Sequence, residues 1–292
     1  MNPARDPAAS SRRDGSPPPR TVLITGASSG IGRMTAELMA SRGWQVAATA
    51  RDPSTLEAWA AAAGPHVATF RLDVTDEASI AAAVAAAVQR FGGLDVLVNN
   101  ADFGLFGPLE GATAEDVERQ LRTNVVGAIA MIRHVLPVLR ARGGGTIVNV
   151  SSIAGRMTAP FASLYHASKY ALEGLSESLR YEAGLHGVRV KLVEPGHFKT
   201  DFFGRSFRLA QHPAYEAALG NYMEWVDAED RKAPGPEPVA RAILRAAEDR
   251  SGRLRYPVRG RLALLLVALL PDVLWRSLMA AGMTRRPRRK RA

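Results

Sequence analysis

A phenol and an ammonium stand four residues apart in Tyr165-His166-Ala167-Ser168-Lys169, and in a helix that spacing puts both side chains on one face, about one turn apart. A free tyrosine ionises at about pH 10, too high for ready proton exchange at neutral pH, and a neighbouring ammonium favours the phenolate. Tyr165 is therefore a candidate general acid or base. Thirteen residues earlier Ser152 ends the run Gly-Thr-Ile-Val-Asn-Val-Ser-Ser, where its hydroxyl could polarise a substrate carbonyl. An isolated Tyr/Lys pair at this spacing is more often surface decoration, so the weight of the reading rests on what accompanies it.

A glycine loop accompanies it. The apolar run Thr21-Val22-Leu23-Ile24-Thr25 passes directly into Gly26-Ala27-Ser28-Ser29-Gly30-Ile31-Gly32 and then into a helical pattern. Glycines where a buried strand turns into a helix let the backbone bend tightly and approach a pyrophosphate, which the unpaired N–H groups and positive dipole end of the helix attract. The spacing is G-x3-G-x-G rather than G-x-G-x-x-G, and the strand before it and the helix after it supply the context that the motif needs. At the end of the second strand an acid would accept bonds from a ribose 2′-hydroxyl and repel a 2′-phosphate. Here the chain reads Thr49-Ala50-Arg51, and an arginine can hold a phosphate through paired charge-assisted bonds, so NADP(H) is expected over NAD(H). Asp73, in Leu72-Asp73-Val74, follows the third strand. It would accept a bond from an adenine amine or cap the helix starting near Asp76.

The elements that must position these groups alternate. Apolar strand-like runs at 21–25, 44–50, 66–70, 94–98, 145–150 and 188–193 are separated by helical patterns near 31–42, 54–63, 76–91, 113–141 and 163–185. Strands apolar throughout in a βαβα rhythm imply an α/β fold of the Rossmann type: a doubly wound parallel sheet covered on both faces by helices. Residues 197–235 read as a long loop carrying Phe198, Phe202, Phe203, Phe207, Tyr215, Tyr222 and Trp225. A helix at 237–250 and an extended piece at 253–258 follow. The division expected is a disordered N-terminal tail (1–20), one catalytic domain (21–258), an apolar and basic C-terminal helix (259–283) and a basic tail (284–292). Leu262–Leu270 is nine apolar residues before Pro271, about 14 Å of helix, too short to span a bilayer core of about 30 Å.

Of the 292 residues 47% are apolar, enough for a sizeable core, and none is cysteine, which excludes disulfides, thiolate nucleophiles and Cys-ligated metals. The net charge of +10 suggests a nucleic-acid binder at first sight. Residues 1–20, however, carry four arginines against two aspartates and residues 284–292 six basic groups with no acid, so only +2 belongs to the body. The positive field is in the tails, and no specific nucleic-acid partner and no metal are expected.

Together these residues resemble the short-chain dehydrogenases/reductases. The likeness rests on TGASSGIG at 25–32, Asn99-Asn100-Ala101, Asn124, Ser152, Tyr165 with Lys169, and Pro195-Gly196 followed by Thr200, in the family's order across residues 21–200. It implies Ser152, Tyr165 and Lys169 as a catalytic triad, with Asn124 holding a water in a proton relay to Lys169. Lys169 would also bind the nicotinamide ribose, and Thr200 would contact the carboxamide or the pyrophosphate. The implied cofactor cradle is Gly26, Ser28, Ser29, Gly30, Ile31, Gly32, Arg51, Asp73, Val74, Asn99, Ala101, Tyr165, Lys169, Pro195, Gly196 and Thr200. The TARD turn, the VEPGHFKTDF stretch and the RYPV segment look similar to the hydroxysteroid and retinol dehydrogenase branch. One residue departs from the pattern: Asp102 stands where the family has glycine. If that glycine serves by tolerating positive φ, Asp is among the least penalised substitutes; if it serves by leaving space beside the cofactor, a carboxylate would crowd or repel it.

The expected activity is hydride transfer between NADP(H) and an alcohol/carbonyl pair, on a lipophilic substrate suited to the aromatic 197–235 stretch. The expected setting is a cytoplasmic homodimer or homotetramer, with the 259–283 segment covering the pocket, forming a subunit interface or lying on a membrane surface. A catalytically weak NADP(H)-binding regulator, motivated by Asp102, and a membrane or nucleic-acid adaptor acting through the basic tails are the alternatives.

Overall fold

The computed structural model describes residues 19–271, 273–277 and 279, with the side chain of Phe203 outside the description. Its elements run β1 (Thr21–Ile24), α1 (Gly30–Ser41), β2 (Gln45–Ala50), α2 (Ser54–Ala63), β3 (Val67–Arg71), α3 (Glu77–Phe91), β4 (Val96–Asn99), β5 (Gly104–Phe106) and α4 (Ala114–Leu121). After a π-helical turn over Arg122–Val126 come α5 (Gly127–Ala141), β6 (Gly145–Val150), α6 (Ser163–Gly184), β7 (Val188–Pro195), α7 (Phe202–Arg205), β8 (Phe207–Leu209), α8 (Glu216–Asp230), α9 (Glu237–Glu248), β9 (Arg255–Val258) and α10 (Arg261–Leu269).

Seven strands form one parallel sheet in the order β3-β2-β1-β4-β6-β7-β9, the doubly wound architecture expected. Alternate residues of each strand point to opposite faces, and each face has its own core. Val22, Ile24 and Val46 meet α1, α2 and α9 through Ala36, Met39, Leu56 and Ile243. Leu23, Ala47 and Leu97 meet α3, α5 and α6 through Ile80, Met131, Val135 and Leu179. The strand order reverses between β1 and β4, so their C-terminal ends open a crevice of the kind that binds ligands in such sheets.

Three sequence expectations change. Residues 197–235 are not one loop: they hold α7, β8 and the 15-residue α8, and β8 pairs in parallel with β5 as a separate two-stranded ribbon. The helical pattern at 113–141 is divided by the π turn. The single helix expected over 259–283 ends at Leu269, and Leu270 is extended before Pro271, whose ring cannot continue a helix. Helical residues resume at 273–277. The tail expectations for residues 1–18 and 284–292 lie outside the described residues.

Candidate active site

The glycine loop is shaped by what presses on it. Gly26 has φ of 67°, in the left-handed region that glycine adopts without strain. A Cβ on Gly32 would fall 2.3 Å from the Gly26 carbonyl oxygen and 2.4 Å from Asn100 Nδ2, so only glycine lets the start of α1 close on the loop. Asn100 Nδ2 donates to the carbonyls of Thr25 and Gly26, and Thr25 Oγ1 accepts from the N–H groups of Asn100 and Ala101. The end of β4 is thereby tied to the loop. Ser29 precedes α1 without a side-chain cap, which leaves the first-turn N–H groups for a ligand.

A cavity of about 740 Å³ runs from this loop to Tyr165. Gly26, Ser28, Ser29, Gly30, Ile31, Arg51, Asp73, Val74, Ala101, Pro195, Gly196 and Thr200 line it, together with Ser152 and Tyr165. Its long, glycine-floored shape and the uncapped helix end fit a dinucleotide. Gly32 and Asn99 lie behind the wall: Gly32 is packed as described, and buried Asn99 donates to Asn149 Oδ1 at 2.9 Å. Asp73 Oδ1 accepts from the Thr75 N–H and hydroxyl, and the capping alternative fails, since Asp76 is the residue that caps α3.

At the other end Ser152, Tyr165 and Lys169 converge. Ser152 Oγ accepts from the Ala154 N–H and lies 3.2 Å from the Pro195 carbonyl, and its hydroxyl also bonds Tyr165. Lys169, only 2% exposed, lies behind the cavity wall and donates to the Val150 carbonyl at 3.2 Å. Its ammonium is 5.5 Å from the Tyr165 ring centre. Burial first, and then the charge of Asp102, hold the Tyr165 phenol well above its ordinary range, while the bond from Ser152 acts in the opposite sense. His166 anchors the segment after Ser152 to α6: its Nδ1 meets the Ala154 carbonyl at 2.8 Å, and Nε2 accepts from the Ala159 N–H. Burial lowers its pKa, and this bonding pattern is that of the neutral ring.

Two of the residues singled out in the sequence have protein partners of their own. Asn124 does not leave its side-chain amide free, and its bonds leave the water relay implied for this residue untouched. Its Oδ1 accepts from the Phe103 N–H at 2.8 Å, and Nδ2 donates to the Phe103 carbonyl and to Ser168 Oγ. Gln120 repeats the arrangement on Leu105, Phe103 and Ser168. These two buried amides, one of them in a π turn of the kind common at functional sites, clamp residues 103–105 onto α6. Asp102 is not an isolated charge beside a nucleotide either. Its Oδ2 is 3.0 Å from Lys169 Nζ and 3.5 Å from the Tyr165 hydroxyl, while Oδ1 accepts from the Phe103 N–H.

The expected aromatic wall is divided. Phe198, Phe202, Tyr222 and Trp225 line the main cavity with Phe106 of β5. Tyr165 sits between Phe106 and Phe202, with ring centres 5.3 and 6.0 Å away, and Phe207 backs both phenylalanines. Tyr215 lines a second hollow with Gly107 and Phe161. Sequence reasoning missed Gln120, Ser168 and Phe106; two amides at i,i+4, Gln120 and Asn124, in an otherwise charged segment were the available signal for the first.

Residues 20–209 match the family model of the short chain dehydrogenases. The chain is a short-chain dehydrogenase/reductase. It is 36% identical over 264 residues to a 3-ketodihydrosphingosine reductase of Bacteroides thetaiotaomicron, covering 87% of this chain and 94% of that one. It is 42% identical over 215 residues to human retinol dehydrogenase 8, covering 70% and 68%, in keeping with the hydroxysteroid and retinol dehydrogenase-like branch. A short-chain dehydrogenase/reductase of Burkholderia phymatum, solved in complex with NAD, is 26% identical and superposes with a TM-score of 0.75 over 94% of this chain and 99% of that one. Membership of this dehydrogenase/reductase family makes the chain an oxidoreductase with a nicotinamide-nucleotide fold.

Proposed function

We propose that this enzyme transfers hydride between NADP(H) and the alcohol/carbonyl pair of a lipophilic substrate. The observation that carries the reading is one continuous cavity with the glycine loop at one end and Tyr165, beside Ser152 and inside an aromatic wall, at the other.

The bound nicotinamide would supply or accept the hydride. Ser152 holds the substrate oxygen, Tyr165 gives its proton to that oxygen in reduction, and buried Lys169 stands behind the phenol, 5.5 Å from its ring centre. The residues that would hold the nucleotide are the cradle lining the cavity, and Lys169 would bind the ribose hydroxyls. NADP(H) is favoured by Arg51 at the end of β2: the acid that follows it, Asp52, does not line the cavity and accepts bonds from the Ser54 N–H and hydroxyl. Arg51 also lies close enough to lower the pKa of Asp73, so both belong to one end of the site.

Phe106, Phe198, Phe202, Tyr222, Trp225 and Ile153 give the substrate end an apolar lining. Two relatives are named for retinol and for 3-ketodihydrosphingosine, both lipophilic. The same reading takes a homodimer or homotetramer in the cytoplasm, with peripheral contact at an anionic membrane surface. Leu262, Leu265, Leu269 and Val273 expose an apolar face near Arg259, Arg261 and Arg276, and six basic residues follow at 285–291. Flotation with anionic and neutral vesicles tests that contact.

The activity is tested by NADPH absorbance with steroid ketones, retinal, long-chain aldehydes and 3-oxo sphingoid bases against sugars and short acids. Consumption with members of the first group alone supports the reading. Consumption with sugars or acids alone overturns the lipophilic assignment, and none with any compound overturns the activity.

A further inference from the structure

We infer that Asp102 is a positioning residue that fixes the protonation of the proton-transfer group, keeping Tyr165 a donor at neutral pH and so favouring carbonyl reduction over alcohol oxidation. The inference rests on the assignment of Tyr165 as the group that exchanges a proton with substrate.

The geometry places one carboxylate against both functional groups of α6. Asp102 Oδ2 is 3.0 Å from Lys169 Nζ and 3.5 Å from the Tyr165 hydroxyl. Its other oxygen accepts the Phe103 N–H, and the Asn124 and Gln120 amides hold Phe103 on both its N–H and its carbonyl. The side chain is thus aimed from a fixed backbone and does not hang from a free loop. An ammonium alone near a phenol favours phenolate, whereas an ammonium already paired with a carboxylate has lost most of that effect. A carboxylate beside the phenol opposes ionisation directly, since the phenolate would face a like charge.

The titratable and charged groups around the Tyr165 oxygen are few. Lys169 and His166 come from α6 itself, Asp102 from the β4–β5 connection and Ser152 from the segment after β6. His166 is fixed neutral by its two backbone partners. Phe106 of β5 and Phe202 of α7 contribute uncharged rings, and Asp201 and Arg205 line the cavity farther out. Among the described residues, Asp102 is the acid that reaches the phenol.

The chemical step balances without further reactants. In reduction the hydride becomes the new C–H bond, the Tyr165 O–H bond breaks, its proton forms the alcohol O–H, and the resulting phenolate recovers a proton from water. Oxidation runs the same bonds backward and must start from the phenolate. Whatever keeps the phenol protonated therefore extends reduction to higher pH and delays oxidation to higher pH.

Asp102→Asn keeps the side-chain shape and the acceptor for Phe103 N–H while removing the charge. In the full-length protein without cofactor, phenolate formation is followed by ultraviolet absorbance through an alkaline titration, and the Tyr165 step is isolated by subtracting the same titration of the Tyr165→Phe and the Tyr165→Phe/Asp102→Asn variants. That step should move down by about one pH unit or more in Asp102→Asn. In the active enzyme the acid limb of alcohol oxidation and the alkaline limb of carbonyl reduction should both move down by the same amount. Asp102→Gly should behave alike. If the Tyr165 step stays in place in folded Asp102→Asn, the inference is wrong. If the step moves but no hydride transfer is found with any substrate, the electrostatic relation holds and the proposed activity fails.

Discussion

Lys169 and Asp102 form an ion pair at 3.0 Å with Lys169 almost wholly buried, and the pair joins the end of the β4 motif to the helix that bears Tyr165. A buried pair is costly to break from one side only, because the remaining charge is left without compensation. Lys169 retains the Val150 carbonyl as a second partner, whereas loss of Lys169 would leave Asp102 unopposed beside the phenol. Lys169→Ala should therefore impair turnover and cofactor affinity more than Asp102→Asn does. Measured dissociation constants for NADPH and turnover rates check this order, and the reverse order contradicts it.

Arg51 stands at the cavity edge after a strand that ends in alanine. Replacing it by alanine should weaken NADPH and leave NADH nearly unchanged. A charge-assisted contact of about 1.5–3 kcal/mol corresponds to about a ten- to hundredfold change in the ratio of the two dissociation constants. An unchanged ratio would show that the 2′-phosphate is held elsewhere.

Asn124→Ala removes three buried hydrogen bonds between the π turn, Phe103 and Ser168. Leaving such groups short of partners costs about 1–3 kcal/mol, which lowers the melting temperature by several degrees in a domain of this size. Turnover should fall as well, because residues 102–106 carry both Asp102 and Phe106. A variant with unchanged melting and unchanged turnover contradicts the clamp.

Glu194, at the end of β7, is buried beside Glu173. Its burial first, and then the charge of Glu173, push its pKa up to about 7 against the pull of Arg156 and Arg255. In the unfolded chain the same group titrates in the ordinary carboxylate range. The native state thus holds its proton more tightly, and this contribution to stability is complete at low pH and is lost as pH rises through about 7. Glu194→Gln should flatten the decline of melting temperature between about pH 5 and 8. An identical decline in the variant contradicts the assignment.

The sheet was legible because a buried parallel strand writes itself as an apolar run, as in Val22–Ile24, and the glycine loop because Gly26 and Gly32 have no steric substitutes. The β5–β8 ribbon was not legible: its strands are three residues long and pair Gly104 with Phe207 across the chain, beyond the reach of local patterns. The π turn around Asn124 hides because apolar periodicity continues through it. Asp102 was visible as a departure from the family pattern, but which group it faces depends on the backbone direction after β4, which the Asn124 and Gln120 clamp determines.

Tyr165→Phe tests the central claim most directly, because it removes one oxygen and leaves the ring between Phe106 and Phe202. The measurement is NADPH consumption with a lipophilic carbonyl that the wild type reduces, paired with NADPH affinity by fluorescence titration. Turnover should fall by about a hundredfold or more, the range associated with loss of a general acid, while the NADPH dissociation constant stays within about twofold, because a change that small is well under 1.4 kcal/mol. Turnover near the wild-type rate in Tyr165→Phe would contradict the account.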